Sequence, residues 1–191
     1  MSRWLTDMLH RLSLTPDDHR IARLTAAAIA IALVESAVPS PLPGVKPGLA
    51  NIVTLLVLLR YDWATAAWVT LLRVLAVSLL VGQFLAPGFV LSLSGAIASL
   101  GVLFVFRPLV THHSRWFGPV SLSILAALAH MLTQLLIVRV WLVPSPGVWV
   151  LAPVFFGAAL FFGMLNGLIV AWLMQPNGYG VASSENLPHN T

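Results

Sequence analysis

Residues 35–51, ESAVPSPLPGVKPGLAN, interrupt a sequence that otherwise consists of long apolar runs. The stretch begins with an acid and holds four prolines, two glycines and the only lysine of the chain. In a membrane protein, broken backbone beside a charge is tolerated where it is buried in protein or lines a cavity. The stretch therefore predicts a binding or coupling site, and the alternative is a plain turn outside the membrane.

The composition defines the class of protein. Of the 191 residues, 59% are hydrophobic and only 8% are charged, and the mean hydropathy is +0.92. A soluble domain carries about 25% charged residues. This chain lacks the polar surface to cover a globule in water, so lipid must be its solvent. The basic residues are scattered singly, which argues against a nucleic-acid partner, and the absence of cysteine excludes disulfides and thiolate metal sites.

Six apolar segments predict six membrane helices in one domain. Their expected bounds are 17–38, 47–60, 63–81, 89–106, 119–142 and 149–174. The second is shorter than the ~20 residues of a full span, and the broken stretch before it is expected to supply the missing length. The sequence thus predicts an all-α integral membrane protein, a six-helix transmembrane bundle whose short second helix has a broken start. This membrane domain covers residues 20–174, between an amphipathic N-terminal segment, 1–19, and a polar C-terminal tail, 175–191.

The placement of the basic residues predicts the topology. Seven arginines fall on the N-terminal side of the bundle, namely Arg3, Arg11, Arg20, Arg23, Arg60, Arg107 and Arg115. Lys46 and Arg139 fall on the other side. Because cytoplasmic loops carry the excess of Lys and Arg, both termini are expected in the cytoplasm of a multi-pass bacterial inner-membrane protein. Residues 35–51 then lie at the outer face.

Polar residues within the apolar segments supply the candidate binding site. The set we select is Glu35, Lys46, Gly48, Asn51, Arg73, His130 and Gln134, and Gln83 and Asn166 are further polar residues at membrane depth. An ion pair between Glu35 and Arg73 would neutralise both charges in a low-dielectric interior, whether its role is structural or functional. Lys46 is the alternative partner for Glu35. His130 and Gln134 are four residues apart and share one helical face.

Some of these polar residues also allow a structural interpretation. Lys46 precedes a helix start, where free N–H groups favour an anion, but an interfacial lysine also reaches water there. A single histidine such as His130 is more often packing than a ligand. His112 and His113 are adjacent and would point apart on a helix, so no metal is predicted. No Walker, dinucleotide or Gly-x-Ser-x-Gly motif occurs, so we assign no catalytic residue and no cofactor.

Several of these residues also form a family pattern. Glu35, the string Pro-Gly-Val-Lys-x-Gly-Leu-Ala-Asn at 43–51, Thr-Leu-Leu-Arg at 70–73, and Ala-His at 129–130 with Gln134 resemble the Gx transporter family. That family is also labelled heptaprenyl diphosphate synthase component I. The pattern departs from the family at Met131 and Thr133.

The resemblance implies a fold and a function. Members of the family are similar to the six-helix substrate-binding components of energy-coupling-factor vitamin transporters. Those components bind a small molecule near the outer face and depend on separate coupling and ATPase subunits. Relatives also occur beside flavin-transferring and quinone-linked electron-transfer proteins.

Three functions follow as hypotheses. The first is a membrane component that captures a small-molecule ligand for a transporter. The second is a non-catalytic membrane subunit that supports heptaprenyl diphosphate or quinone synthesis, or anchors an electron-transfer assembly. The third, an enzyme acting on a lipid diphosphate, conflicts with the scarcity of acids, since Asp17-Asp18 is the only acidic pair.

Overall fold

The computed structural model describes residues 15–37, 48–112 and 118–175, and within these ranges all regular structure is helical. The helices are α1 (Pro16–Ala37), α2 (Ala50–Arg60), α3 (Trp63–Leu80), α4 (Pro87–His112), α5 (Pro119–Ile137) and α6 (Val148–Leu173). A π-helical turn, Val138–Leu142, extends α5. Four segments are long and apolar enough to cross a membrane, namely Trp63–Leu80, Pro87–Pro108, Pro119–Leu142 and Val148–Leu173. The predicted all-α, six-helix membrane fold is confirmed.

The first two helices differ from those four. α1 has 22 residues but carries four charges in its first eight positions and Glu35 near its end. α2 has only 11 residues, about 16 Å at 1.5 Å per residue, against a hydrocarbon core of about 30 Å. It begins at Ala50, later than predicted, because Gly48 has a φ of +69° and lies in the left-handed region outside helical geometry. The short second helix is therefore confirmed, with a later start.

One predicted helix end was wrong. α4 begins at Pro87 and continues through Pro108 to His112, whereas the sequence pattern placed it at 89–106. Proline lacks the N–H that would bond the carbonyl four residues earlier. Membrane helices tolerate such an interruption because neighbouring groups satisfy the freed carbonyl.

Side-chain caps fix two helix starts. Thr15 Oγ1 accepts a hydrogen bond from the Asp18 amide across 3.2 Å, while the Thr15 amide donates to Asp18 Oδ2 across 2.8 Å. This reciprocal pair is a capping box, and it satisfies donors that the helix itself leaves open. At α3, Asp62 accepts from the Thr65 amide across 2.8 Å and from Thr65 Oγ1 across 2.6 Å. Thr15 and Asp62 each stand directly before the first residue of the helix that they cap.

Packing places the solid core at one end of the bundle. α4, α5 and α6 pack against one another in order, α1 and α2 pack on α3, and α2 also contacts α6. The main cluster of buried apolar side chains includes Leu58, Val69, Leu122 and Val170. These residues belong to the end of the bundle where α1 and α3 begin and α2 and α6 finish. The opposite end is less completely filled, and the cavity described below lies there.

Several predictions fall on residues that the structure does not describe. These are the string at 43–47 with Lys46, most of the N-terminal segment 1–19, the loop residues His113 and Arg115, and the tail after Gln175. The predicted boundaries of the N-terminal segment and the tail stay predictions.

Candidate ligand-binding site

A cavity of about 450 Å³ opens between the helices at the end opposite the main core. All six helices contribute to its wall. Its polar lining consists of Glu35, Ser36, Asn51, Arg73, Ser78, Gln83, Ser92, His130, Gln134 and Asn166. Small-molecule sites are typically clefts of about 300–1,000 Å³ with a few convergent polar groups. The cavity has the size and the chemistry of a site for one compact organic molecule.

The backbone of Gly48 takes part in three hydrogen bonds at this site. Its amide donates to Glu35 Oε1 at the end of α1. Its carbonyl accepts a hydrogen bond from the backbone amide of Asn51 across 2.8 Å and another from Asn166 Nδ2 on α6 across 3.2 Å. The left-handed backbone of Gly48 aims both peptide groups at once, and glycine adopts that conformation without a steric penalty. One residue thus ties α1, α2 and α6 together beside the cavity.

Arg73 is the buried cation of the site. Its side chain is 8% exposed, and Nη2 donates to Asn51 Oδ1 across 3.2 Å. Glu35 lies close enough for a favourable charge interaction with it. The predicted direct ion pair, however, is not formed, since the one ion pair within the described ranges joins Arg20 to Asp17. The Glu35 carboxylate instead accepts the Gly48 amide, so a chain of hydrogen bonds through Gly48 and Asn51 links the two charges.

His130 and Gln134 attach α5 to α4 along the cavity wall. A Cβ atom built on Gly95 would lie 2.7 Å from two atoms of the His130 imidazole, so only a glycine leaves room for the ring. Within the described part of the chain, His130 Nδ1 is buried and has no hydrogen-bond partner. Gln134 Nε2 donates to the Leu91 carbonyl across 3.3 Å. The shared helical face predicted for the two residues is the face that meets α4 and the cavity.

The structure brings most of the selected residues to one place. Glu35, Gly48, Asn51, Arg73, His130 and Gln134 all line the cavity, and Lys46 lies outside the described residues. Whether they bind a ligand stays a prediction. Asn166 was not selected from the sequence, although an asparagine inside a long apolar helix is a signal for such a site. Within the described ranges, no group of three His, Cys, Asp or Glu side chains is placed to hold a metal ion.

Fold and cavity together define the class as an all-helical, multi-pass membrane protein with a polar cavity inside one end of its bundle. The family model of heptaprenyl diphosphate synthase component I matches residues 24–173. The chain therefore belongs to this family, which confirms the resemblance to the family labelled heptaprenyl diphosphate synthase component I. Comparison with curated proteins and with solved structures gave no match.

Proposed function

We propose that this chain is the substrate-binding membrane component of a small-molecule transporter, and that its ligand occupies the 450 Å³ cavity. The observation that carries the proposal is the cavity wall, in which ten polar or charged side chains converge inside a chain that is 59% hydrophobic. Polar and ionisable groups at membrane depth are costly, and they mark substrate pathways in membrane proteins. Binding sites in transporters commonly form beside discontinuous helices, as here beside the broken start of α2.

The distribution of arginine supports an outer position for the cavity. Arg20, Arg23, Arg60 and Arg107 lie at the end of the bundle that holds the main core. Arg107 and Arg20 meet there around Tyr61, through a hydrogen bond to its carbonyl and a cation–π contact with its ring. Because positive charge favours the cytoplasmic side, we place this end in the cytoplasm of a bacterial inner membrane. The cavity end then faces outward, where a ligand arrives.

The proposal includes partner subunits. The sequence contains no nucleotide-binding fingerprint, so the energy for release of the ligand into the cell would come from separate coupling and ATPase subunits. In this arrangement the chain supplies recognition, and its partners supply the conformational work.

A ligand-retention experiment tests the proposal. The protein is purified in detergent, and small molecules that copurify are identified by native mass spectrometry. We expect Ala158→Phe, which fills the cavity, to lose the copurified compound. Ala64→Phe adds the same volume at an exposed position and is the matched control. The proposal fails if wild-type protein retains no small molecule, or if the two variants retain it equally.

The family description supports a second candidate. Members are described as component I of heptaprenyl diphosphate synthase, which suggests a membrane subunit that supports a soluble synthase. This function predicts that a soluble prenyl-synthase subunit copurifies from native membranes and that its product release depends on this chain. It also predicts that Ala158→Phe leaves this association intact, which separates it from the transporter proposal.

A further inference from the structure

Arg73 is incompletely satisfied in the described structure. Its side chain is nine-tenths buried, and Nη2 makes its hydrogen bond to Asn51. Nε is also buried, and within the described residues it has no partner. A guanidinium presents five donors in a planar fork, so an arginine in the membrane interior with an unused Nε edge is costly.

Glu35 does not fill this gap. Its Oε1 accepts from the Gly48 amide, and its carboxylate makes no ion pair with Arg73 in the described ranges. Glu35 therefore balances the charge of Arg73 at a distance, while its own hydrogen bond holds the start of α2. The guanidinium thus keeps a donor, Nε, without an acceptor among the described residues.

A histidine lies on the same cavity wall. The His130 ring is packed against Gly95. Its Nδ1 is buried and, like Arg73 Nε, has no partner among the described groups. Both side chains line one cavity. In a neutral imidazole one ring nitrogen donates and the other accepts. The donor that an oxyanion requires at this wall is therefore the guanidinium of Arg73, a permanent cation.

We propose that the ligand carries an oxyanion, a carboxylate or a phosphate, which accepts hydrogen bonds from the guanidinium of Arg73. Arginine recognises both groups in bidentate fashion, and the low dielectric of the cavity strengthens the contact. The inference rests on the proposed function and specifies its substrate class. It also assigns opposite effects to the two charges of the site, because Arg73 attracts such a ligand and Glu35 repels it.

Thermal unfolding of the purified protein in detergent, at constant ionic strength, tests this class directly. The probes are acetate, acetamide as its uncharged counterpart of equal size, and inorganic phosphate. We expect acetate or phosphate to raise the melting temperature and acetamide to have no effect. Stabilisation by acetate alone identifies a carboxylate site, and stabilisation by phosphate alone identifies a phosphate site.

Substitutions test whether the charges of Arg73 and Glu35 strengthen or weaken anion binding. Arg73→Gln should weaken the apparent affinity for the stabilising anion about tenfold to a hundredfold, the range for a hydrogen bond to a charged group. Glu35→Gln keeps an acceptor for the Gly48 amide and removes the charge, so it should tighten anion binding. Arg60→Gln, at an exposed position on α2, should change neither. If Arg73→Gln does not fold, Arg73→Lys and Glu35→Gln carry the test.

The inference is overturned if the copurified compound has no acidic group, or if Glu35→Gln weakens anion binding. Either result leaves the proposed transporter function standing, because a ligand is still retained. If no compound copurifies and no anion stabilises the protein, the proposed function fails together with the inference.

Discussion

The guanidinium of Arg73 on α3 donates a hydrogen bond from Nη2 to Oδ1 of Asn51 on α2, across 3.2 Å. The backbone amide of Asn51 in turn donates to the Gly48 carbonyl, and the backbone amide of Gly48 donates to the Glu35 carboxylate. The buried cation and the buried acid are thus joined through the backbone at the broken start of α2. Within the described residues, Nε of the same guanidinium has no hydrogen-bond partner.

Loss of the Asn51 acceptor should destabilise the protein. Asn51→Leu leaves the Arg73 guanidinium without the partner of its Nη2, and an unsatisfied buried group costs about 1–3 kcal/mol. Thermal unfolding in detergent should show a lower melting temperature and weaker ligand retention. Asn51→Asp keeps an acceptor oxygen for Nη2 and should therefore melt at a higher temperature than Asn51→Leu. Equal melting temperatures for Asn51→Leu and the wild type would contradict the role assigned to this hydrogen bond.

The left-handed backbone of Gly48 permits a test with a matched control. Gly48 and Gly82 have φ values of +69° and +70°. Alanine at either position should cost about 1–2 kcal/mol of backbone strain. A Cβ on Gly48 would also lie 3.3 Å from Asn51 Nδ2, whereas one on Gly82 meets nothing within 4 Å. Gly48→Ala and Gly82→Ala should therefore lower the melting temperature similarly, but only Gly48→Ala should reduce ligand retention. A similar loss of retention in both variants would show that strain alone explains the effect.

Gly95 should be required for the position of His130. A Cβ at Gly95 would lie 2.7 Å from the imidazole, so Gly95→Ala must displace the ring, at a cost of about 1–3 kcal/mol for overpacking. A Cβ at Gly101 on the same helix meets nothing within 4 Å, and alanine there should stabilise the helix by about 0.5–1 kcal/mol. Melting temperatures and ligand retention of the two variants check this. If Gly95→Ala retains ligand as well as Gly101→Ala does, the ring position is not important for binding.

The fold was predictable because it depends on local signals. Long apolar runs bounded by proline, glycine and charge predicted the six helices, and Thr15 and Asp62 stand at helix starts that the structure confirms. The end of α4 was not predictable in the same way. Pro108 is a breaker in isolation, but the surroundings of a helix decide whether the backbone continues past it, and those surroundings are not in the local sequence.

The partners within the site depended on three-dimensional contacts. Charge alone suggested that Glu35 would pair directly with Arg73, but the Gly48 amide takes the carboxylate oxygen. A backbone donor has no sequence signature, so this competition was invisible. Asn166 donates a hydrogen bond to the Gly48 carbonyl although 118 positions separate them in the chain. The periodicity of apolar residues does not predict contacts between residues so far apart in sequence. What the sequence did supply was the set of rare polar residues, most of which line the cavity.

The cap on α3 should make stability depend on pH. Hydrogen bonds from the Thr65 hydroxyl and then from its amide hold the pKa of Asp62, which lies between the membrane spans, below its ordinary value of 3.8. A carboxyl with a depressed folded-state pKa contributes stability above its unfolded pKa and loses it as pH falls through the folded value. The melting temperature should therefore decline below about pH 3.8. Asp62→Asn keeps the Oδ1 acceptor and should flatten that decline, and an unchanged pH profile in this variant would argue against Asp62 as its source.

Close packing of α5 on α6 should depend on Gly167. Its spacing from Gly163, four residues earlier, is the small-residue pattern that lets membrane helices approach closely, and this signal was available in the sequence. A Cβ at Gly167 would lie 2.5 Å from Val120 Cα, so the backbones of α5 and α6 would have to separate. Gly167→Ala should cost at least about 1–3 kcal/mol, whereas Gly157→Ala on the same helix, where a Cβ meets nothing within 4 Å, should be neutral or stabilising. Melting temperatures in detergent compare the two, and equal values would mean that α5 and α6 do not need this contact to stay together.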